Sequence, residues 1–377
     1  MKAYVFTDKS LERYAGQFVW LSVDTENGKN AAFLAKYPIN VWPTLLVIDP
    51  RKESVAIKYA GGATVPQLSK LLDDGRRTFG GGRKTPADEA IARADKLVND
   101  KEYAQAAMAY REAIAAAPKS WPRLGRAAES LVFMLTMARD NSRCVEEALV
   151  LYPRVKGTYS AMNVAGGGLG CATELKADDP RRANAIAALE TATRETLDDK
   201  SIPLSGDDRS GLYESLISAR EEMKDEAGAH ALRELWVTLL ESEAAKAKTP
   251  EQRAVYDSHR VSAYLALKQP EKAIPMLEQS ERDFPKDYNP PSRLSLAYKA
   301  LGRYDEALAA TERALARAYG PRKIGIYRNR SDIFALKGDK ENAKKTLEEA
   351  IRYAESLPKE QRSDTLIASM KKKLETM

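Results

Sequence analysis

The chain has 377 residues, 44% hydrophobic and 30% charged, a balance that excludes a disordered polymer and is too long for one ordinary core. Its net charge of +6 arises from 60 basic and 54 acidic residues of both signs spread along the chain, and the compact basic run is confined to Lys371, Lys372 and Lys373. A nucleic-acid binder carries a clustered basic stripe, so no nucleic acid is expected as a partner. No apolar stretch approaches the ~20 residues of a membrane span, so no membrane span is expected. No apolar signal core follows Met1, which points to the cytoplasm unless an export signal was lost with an earlier N-terminus.

Residues 1–75 read as a small α/β unit. Phe18 to Val23 (FVWLSV) and Thr44 to Ile48 (TLLVI) are nearly continuous apolar runs, the pattern of strands buried on both faces. Val55 to Tyr59 is a weaker third strand. Helices are expected over Ala31 to Tyr37 and from Val65 to Leu72, the second capped by Thr64.

The stretches YVFTDKSL, FVWLSVDTE, FLAKYPINVWPTLLVIDP and AGG resemble the thioredoxin superfamily, in particular domains of the disulfide-interchange type. The resemblance rests on Tyr4, Phe6, Thr7 and Asp8, on Val23 and Asp24 closing a strand, on Tyr37 and Pro38 after a helix, and on Pro43 and Thr44 opening the next strand. It implies a thiol–disulfide oxidoreductase in which the Trp42–Pro43 bond is cis. It also makes Trp42, Pro43 and Thr44 a candidate peptide-docking edge. The Cys-x-x-Cys of such domains is absent, because Cys144 and Cys171 lie far beyond this segment. With no reactive thiolate on a helix N-terminus, the expectation is no catalytic residue in the chain as written.

Two accounts of that absence are open: the natural protein starts upstream of Met1, or the segment is a degenerate remnant. The missing strand would lie between FVWLSV and TLLVI, and each buried, unpaired backbone group there would cost ~1–3 kcal/mol. That cost favours the upstream start. The corresponding functions are a recruiting oxidoreductase and, as the alternative, a non-catalytic adaptor.

Asp73 to Pro86 (DDGRRTFGGGRKTP) reads as a joint, with residues 76–86 flexible around Gly80, Gly81 and Gly82. It lacks the Gly-Lys-Ser/Thr ending and preceding strand of a phosphate-binding loop.

From residue 87 the pattern is helical and repetitive. Ala273, Ala307 and Ala343 sit in the matching contexts QPEKAI, RYDEAL and DKENAK, spaced by 34 and 36 residues. Gly302 and Gly338 each precede the alanine by five positions, and Tyr264, Tyr298 and Phe334 precede it by nine. Ser280, Ala314 and Ala350 follow it by seven. Tyr103, Ala106, Tyr110, Ala113 and Pro118 repeat this grammar at the front. The pattern resembles the tetratricopeptide repeat family over 87–118 and about 250–357, and blurs between 120 and 248. About seven helix pairs are expected over 87–357, with residues 358–377 as a terminal cap. The fold class is therefore a thioredoxin-like α/β fragment followed by an all-α repeat solenoid, mostly α.

The glycine-rich Val164 to Gly170 reads as a close helix–helix approach. Asp198 to Asp208 is a polar loop without the ligand spacing of a calcium site. Cys144 and Cys171, 27 residues apart, match no metal or redox motif and read as two buried thiols, with a disulfide left open. His230 and His259 belong to no zinc pattern, and no G-x-S-x-G elbow is present. No cofactor or metal is expected. The resemblance implies that the first helices of the pairs line a concave face able to hold a peptide. On that face helical spacing places Arg293, Lys299, Arg328 and Asn329, and a protein or peptide ligand with an acidic or C-terminal carboxylate is the expected partner.

Overall fold

A computed structural model describes residues 1–79 and 85–377. Gly80, Gly81 and Gly82 of the expected joint lie outside the described residues. The chain is mostly α-helical and divides into two compact units: Met1–Ala15 with Asn40–Leu239, and Gly16–Ile39 with Leu240–Met377.

In chain order, helix α1 covers Ala31–Lys36, strand β1 Thr44–Asp49, strand β2 Ser54–Ala60 and helix α2 Val65–Phe79. The strands form an antiparallel pair running from Thr44 opposite Ala60 to Asp49 opposite Ser54, with an irregularity between Val47 and Ile48. Thr64 caps α2: its hydroxyl accepts from the Gln67 backbone N–H at 3.3 Å, and its own N–H donates to Gln67 Oε1 at 3.0 Å.

Two expectations are corrected here. Phe18 to Val23 is not a strand; among the described residues the sheet holds β1 and β2 alone, and Val19 and Leu21 are 89% and 77% exposed. An apolar run becomes a strand only where a neighbour takes its N–H and C=O groups. The described residues thus form fewer strands than the thioredoxin resemblance implies. Helix α2, moreover, continues through Arg76 and Arg77 to Phe79, into the segment read as a joint. Asp74, buried within it, takes charge-assisted bonds from Arg77, three residues on in the same helix, at 2.6 Å and from Arg123 at 2.9 Å, a partner no local pattern announces.

The first unit continues with α3 (Pro86–Asn99), α4 (Tyr103–Ala116), α5 (Leu124–Met137), α6 (Asn141–Val155), α7 (Ser160–Thr173), α8 (Arg182–Asp198), α9 (Gly206–Glu222) and α10 (Glu226–Lys246), the division falling inside α10. Thr85 opens α3 with a capping box to Asp88 and Pro86 at the first position. From α3 to α9 consecutive helices pack together, and α5 packs on α7 and α7 on α9 as first members of their pairs. Gly168 in α7 lets its neighbours close in: a Cβ there would stand 2.4 Å from Ala148 of α6 and 3.0 Å from Leu189 of α8. This is the close approach expected for the glycine-rich stretch.

The second unit contains α1 and the helices α11 (Pro250–Ala254), α12 (Asp257–Ala266), α13 (Ala273–Asp283), α14 (Asn289–Ala300), α15 (Tyr304–Arg317), α16 (Arg322–Leu336), α17 (Lys340–Ser356) and α18 (Asp364–Glu375). Ala273, Ala307, Ala343, Ser280, Ala314 and Ala350 are all fully buried, as the repeat pattern requires, because only small side chains let paired helices approach. Ile324, Leu347, Ala350, Ile351, Ala354, Ile367 and Met370 form the core beneath α18.

One turn recurs in both units. Lys101, Arg139, Lys224, Lys268, Gly302 and Gly338 all have left-handed backbone, with φ between 57° and 85°, each two residues beyond the first helix of its pair. The N–H of the following residue reaches back five positions, as from Glu102 to the Leu97 carbonyl and from Arg303 to the Tyr298 carbonyl, both at 2.9 Å. This is a Schellman closure. Glycine marks it at two positions; lysine or arginine occupies it at four, which is why the repeat marks blur upstream although the turn persists.

Candidate functional site

The four residues expected on the concave face have different surroundings. Asn329 on α16 is a bridge between successive repeats: its amide nitrogen donates to Ser295 Oγ on α14 at 2.8 Å, and its Oδ1 accepts from Lys299 Nζ at 2.5 Å. Residues 295 and 329 are one 34-residue period apart, so the bridge links equivalent first helices. Lys299 and Asn329 therefore satisfy each other. Arg328, next to Asn329, is exposed and makes no hydrogen bond or ion pair with the described residues. Arg293 lies against Asp257, Asp287 and Tyr288, and burial lowers its pKa while Asp257 opposes that. Asp257 is itself buried, accepts from Ser280 Oγ at 2.6 Å, and is pushed above the usual carboxylate range by desolvation. Arg293 is thus partly committed to a buried carboxylate, whereas Arg328 is exposed and has no partner among the described residues.

In the first unit the hairpin and α2 make polar and packing contacts with the helices that follow. Strand β2 packs on α3, and Gln67 of α2 donates at 3.2 Å to Glu129 of α5, whose Oε2 also accepts from Asn163 of α7 at 2.9 Å. Burial pushes the Glu129 carboxyl up to about 7, against the stabilising hydrogen bonds from Asn163, Ser160 and Tyr59. Sequence reasoning passed over Glu129 because a lone glutamate in an amphipathic helix normally faces water. The only sign was its place between Ala128 and Ser130 on the face that buries Ala128 and Leu131.

Beside this cluster lies a second, ionic one. Arg126 Nη1 holds both oxygens of buried Asp95 at 2.9 and 3.0 Å, and the Tyr110 hydroxyl donates to Asp95 at 2.6 Å. Arg123 joins Asp74 at 2.9 Å and Asp88 at 2.8 Å. Burial raises the Asp95 pKa and Arg126 opposes the rise.

Trp42, two residues before β1, is 58% exposed, the Trp42–Pro43 bond is cis, the Thr44 hydroxyl donates to the Val41 carbonyl at 2.6 Å, and the Pro43 carbonyl accepts from Gly61 N–H at 2.8 Å. No cysteine lies in this segment. The favoured reading of two free thiols is corrected: Cys144 and Cys171 form a disulfide joining α6 to α7, both fully buried. The helices bring the two Sγ atoms together, which spacing along the chain does not reveal. Among the described residues no group of three or more His, Cys, Asp or Glu is placed to hold a metal ion, and no helix is long and apolar enough to cross a membrane.

These helix pairs, their buried alanines and their shared turn define a repeat protein. Residues 292–319 and 324–357 match the family model of the tetratricopeptide repeat, covering most of α14 to α17. No curated protein matches the chain. Among solved structures it is similar to a tetratricopeptide repeat protein from Parabacteroides merdae (12% identity, 77% of this chain and 99% of that one, TM-score 0.48). It is also similar to the TPR2AB domain of yeast Sti1 in complex with pHSP90 (15% identity, 77% and 98%, TM-score 0.29) and to YrrB, a TPR protein with an unusual peptide-binding site (14% identity, 71% and 99%, TM-score 0.28).

Proposed function

We propose that this protein is an interaction scaffold whose C-terminal repeats hold a peptide carrying an acidic side chain or a terminal carboxylate. The observation that carries this reading is Arg328: a guanidinium exposed beside the bridge of Ser295, Asn329 and Lys299, with none of its donors used by the described residues. Its forked donors suit a carboxylate. In a binding screen of immobilised acidic and C-terminal peptides, Arg328→Ala is expected to weaken the best ligand at least about tenfold, the scale of one charge-assisted bond. Arg328→Lys is expected to fall between the two, and an affinity unchanged in both variants removes the groove reading.

The N-terminal segment enters this reading as a docking edge at Trp42, Pro43 and Thr44, derived from a thioredoxin-type domain without its redox pair. The support is the absence of Cys-x-x-Cys from the chain together with the engagement of both cysteines in a buried disulfide. The chain is expected not to accelerate insulin reduction by dithiothreitol; a measurable acceleration contradicts the assignment.

A further inference from the structure

Within the second unit, the loops that begin α14 and α16 and the turn that precedes α18 converge on a short acidic stretch of the chain, Asp24, Thr25 and Glu26. Tyr319 donates its hydroxyl to Asp24 Oδ2 at 2.7 Å. Arg322 Nε donates to Glu26 Oε1 at 2.6 Å, and Tyr288 donates to Glu26 Oε2 at 3.3 Å. Gln361 Nε2 donates to the Thr25 carbonyl at 2.8 Å. Both Glu26 oxygens, one Asp24 oxygen and the intervening backbone are therefore read by four side chains from three repeat junctions. Tyr288 and Arg322 are 34 residues apart, so the repeat itself sets this donor row on the loop edge, away from the helix positions that carry Arg328.

The fit is close in backbone as well as charge. Gly320 has φ +58°, and a Cβ on it would stand 2.3 Å from the Glu26 carbonyl oxygen. Hydrogen bonding to Asp24 and burial raise the Tyr319 hydroxyl to about 12, and Arg322 is likewise held charged by Glu26. The segment also organises itself: Glu26 N–H donates to Asp24 Oδ1 at 2.9 Å, and Asn30 Nδ2 donates to the Asp24 carbonyl at 2.7 Å.

We propose that the loop edge formed by Tyr288, Tyr319, Gly320, Arg322 and Gln361 is a recognition site for peptides of the form Asp-x-Glu, and that residues 24–26 are its built-in competing occupant. This goes beyond the groove reading and does not depend on it. The contacts explain the exchange: Arg322 is 60% exposed and Asp24 is exposed, so the anchoring charges are partly screened and individually weak. A tethered segment acts at an effective concentration on the order of millimolar, so it masks the site from weak ligands in trans. A partner must present the same two carboxylates together with further contacts to displace it.

The test uses the full chain and a fluorescein-labelled peptide, LSVDTENG, copied from residues 21–28, with LSVNTQNG as the uncharged control. In anisotropy titrations the wild type is expected to bind LSVDTENG weakly. Asp24→Ala with Glu26→Ala, which frees the edge, is expected to bind it at least tenfold tighter, and adding Arg322→Ala is expected to reverse that gain. Gly320→Ala is expected to abolish the gain in the same background. Equal affinity of the freed variant and the wild type, equal binding of the uncharged control, or loss of the peptide in Arg328→Ala but not in Arg322→Ala each overturns the proposal. Hydrogen exchange keeps the question decidable if the double variant does not fold: in Arg322→Ala alone, amides of residues 24–30 are expected to exchange at least tenfold faster while those of α18 are unchanged, and unchanged exchange at 24–30 refutes the site.

Discussion

The two units carry the same helix-pair grammar with different kinds of support. In the second, the grammar is visible residue by residue: buried Ala273, Ala307 and Ala343, glycine at two of the three turns, and a family match over residues 292–319 and 324–357. Its ion pairs have solvent-exposed arginines, as in Arg313 with Glu281 and Arg322 with Glu26, where the guanidinium side chains are 42% and 60% exposed. In the first unit lysine or arginine stands at the turns, and the helices are joined instead by the buried cluster of Asp74, Asp95, Arg123 and Arg126, by Glu129, and by the Cys144–Cys171 disulfide. Where the repeat consensus thins, particular long-range bonds hold the pairs together. A consensus core loses stability gradually as its many small contacts are removed, whereas a core built on a few buried polar links fails when one is cut.

The largest break in that contrast is expected from Arg126→Ala. It leaves Asp95 buried without its charged partner, a loss of ~3–5 kcal/mol, whereas Arg313→Ala in the second unit is expected to cost at most ~1 kcal/mol. Urea unfolding followed separately in the two units by hydrogen exchange reads both, and similar costs would remove the distinction. Next comes the disulfide. A closed loop of about 27 residues is worth ~3–4 kcal/mol in the loop-entropy account. Replacing Cys144 and Cys171 by Ser is therefore expected to lower the midpoint of the first unit and leave that of the second unmoved; a shared shift would mean that the units unfold together.

The third effect is pH dependent. The Glu129 pKa is raised from the usual 4.5 to about 7 in the folded chain. The folded state therefore binds the proton more tightly than the unfolded one, and the associated stability is present below about 4.5 and lost as pH rises through about 7. Between pH 5 and pH 8 the first unit is expected to lose up to roughly 3 kcal/mol from this group. Glu129→Gln, which keeps an amide partner for Asn163 and cannot ionise, is expected to flatten that slope. Thermal melts of both proteins across this range decide it, and parallel slopes would assign the pH response to other groups.

The local pattern along the chain determined most of the helices, the strands β1 and β2, the cap at Thr64 and the positions of the small buried residues. These depend on backbone propensity and on spacings within one or two turns, and such information is carried by neighbours in sequence. Only the tertiary structure decided the rest. FVWLSV reads as a strand but finds no partner in the sheet. Glu129 carries no mark in the sequence analysis but is enclosed by Gln67 and Asn163, 62 and 34 residues away. Cys144 and Cys171 read as separate thiols and are joined. The acidic stretch at 24–26 meets Tyr288, Tyr319 and Arg322 from more than 260 residues further on. Each of these outcomes is set by which groups the folded chain brings within hydrogen-bonding or bonding distance, and separation in sequence does not encode that distance.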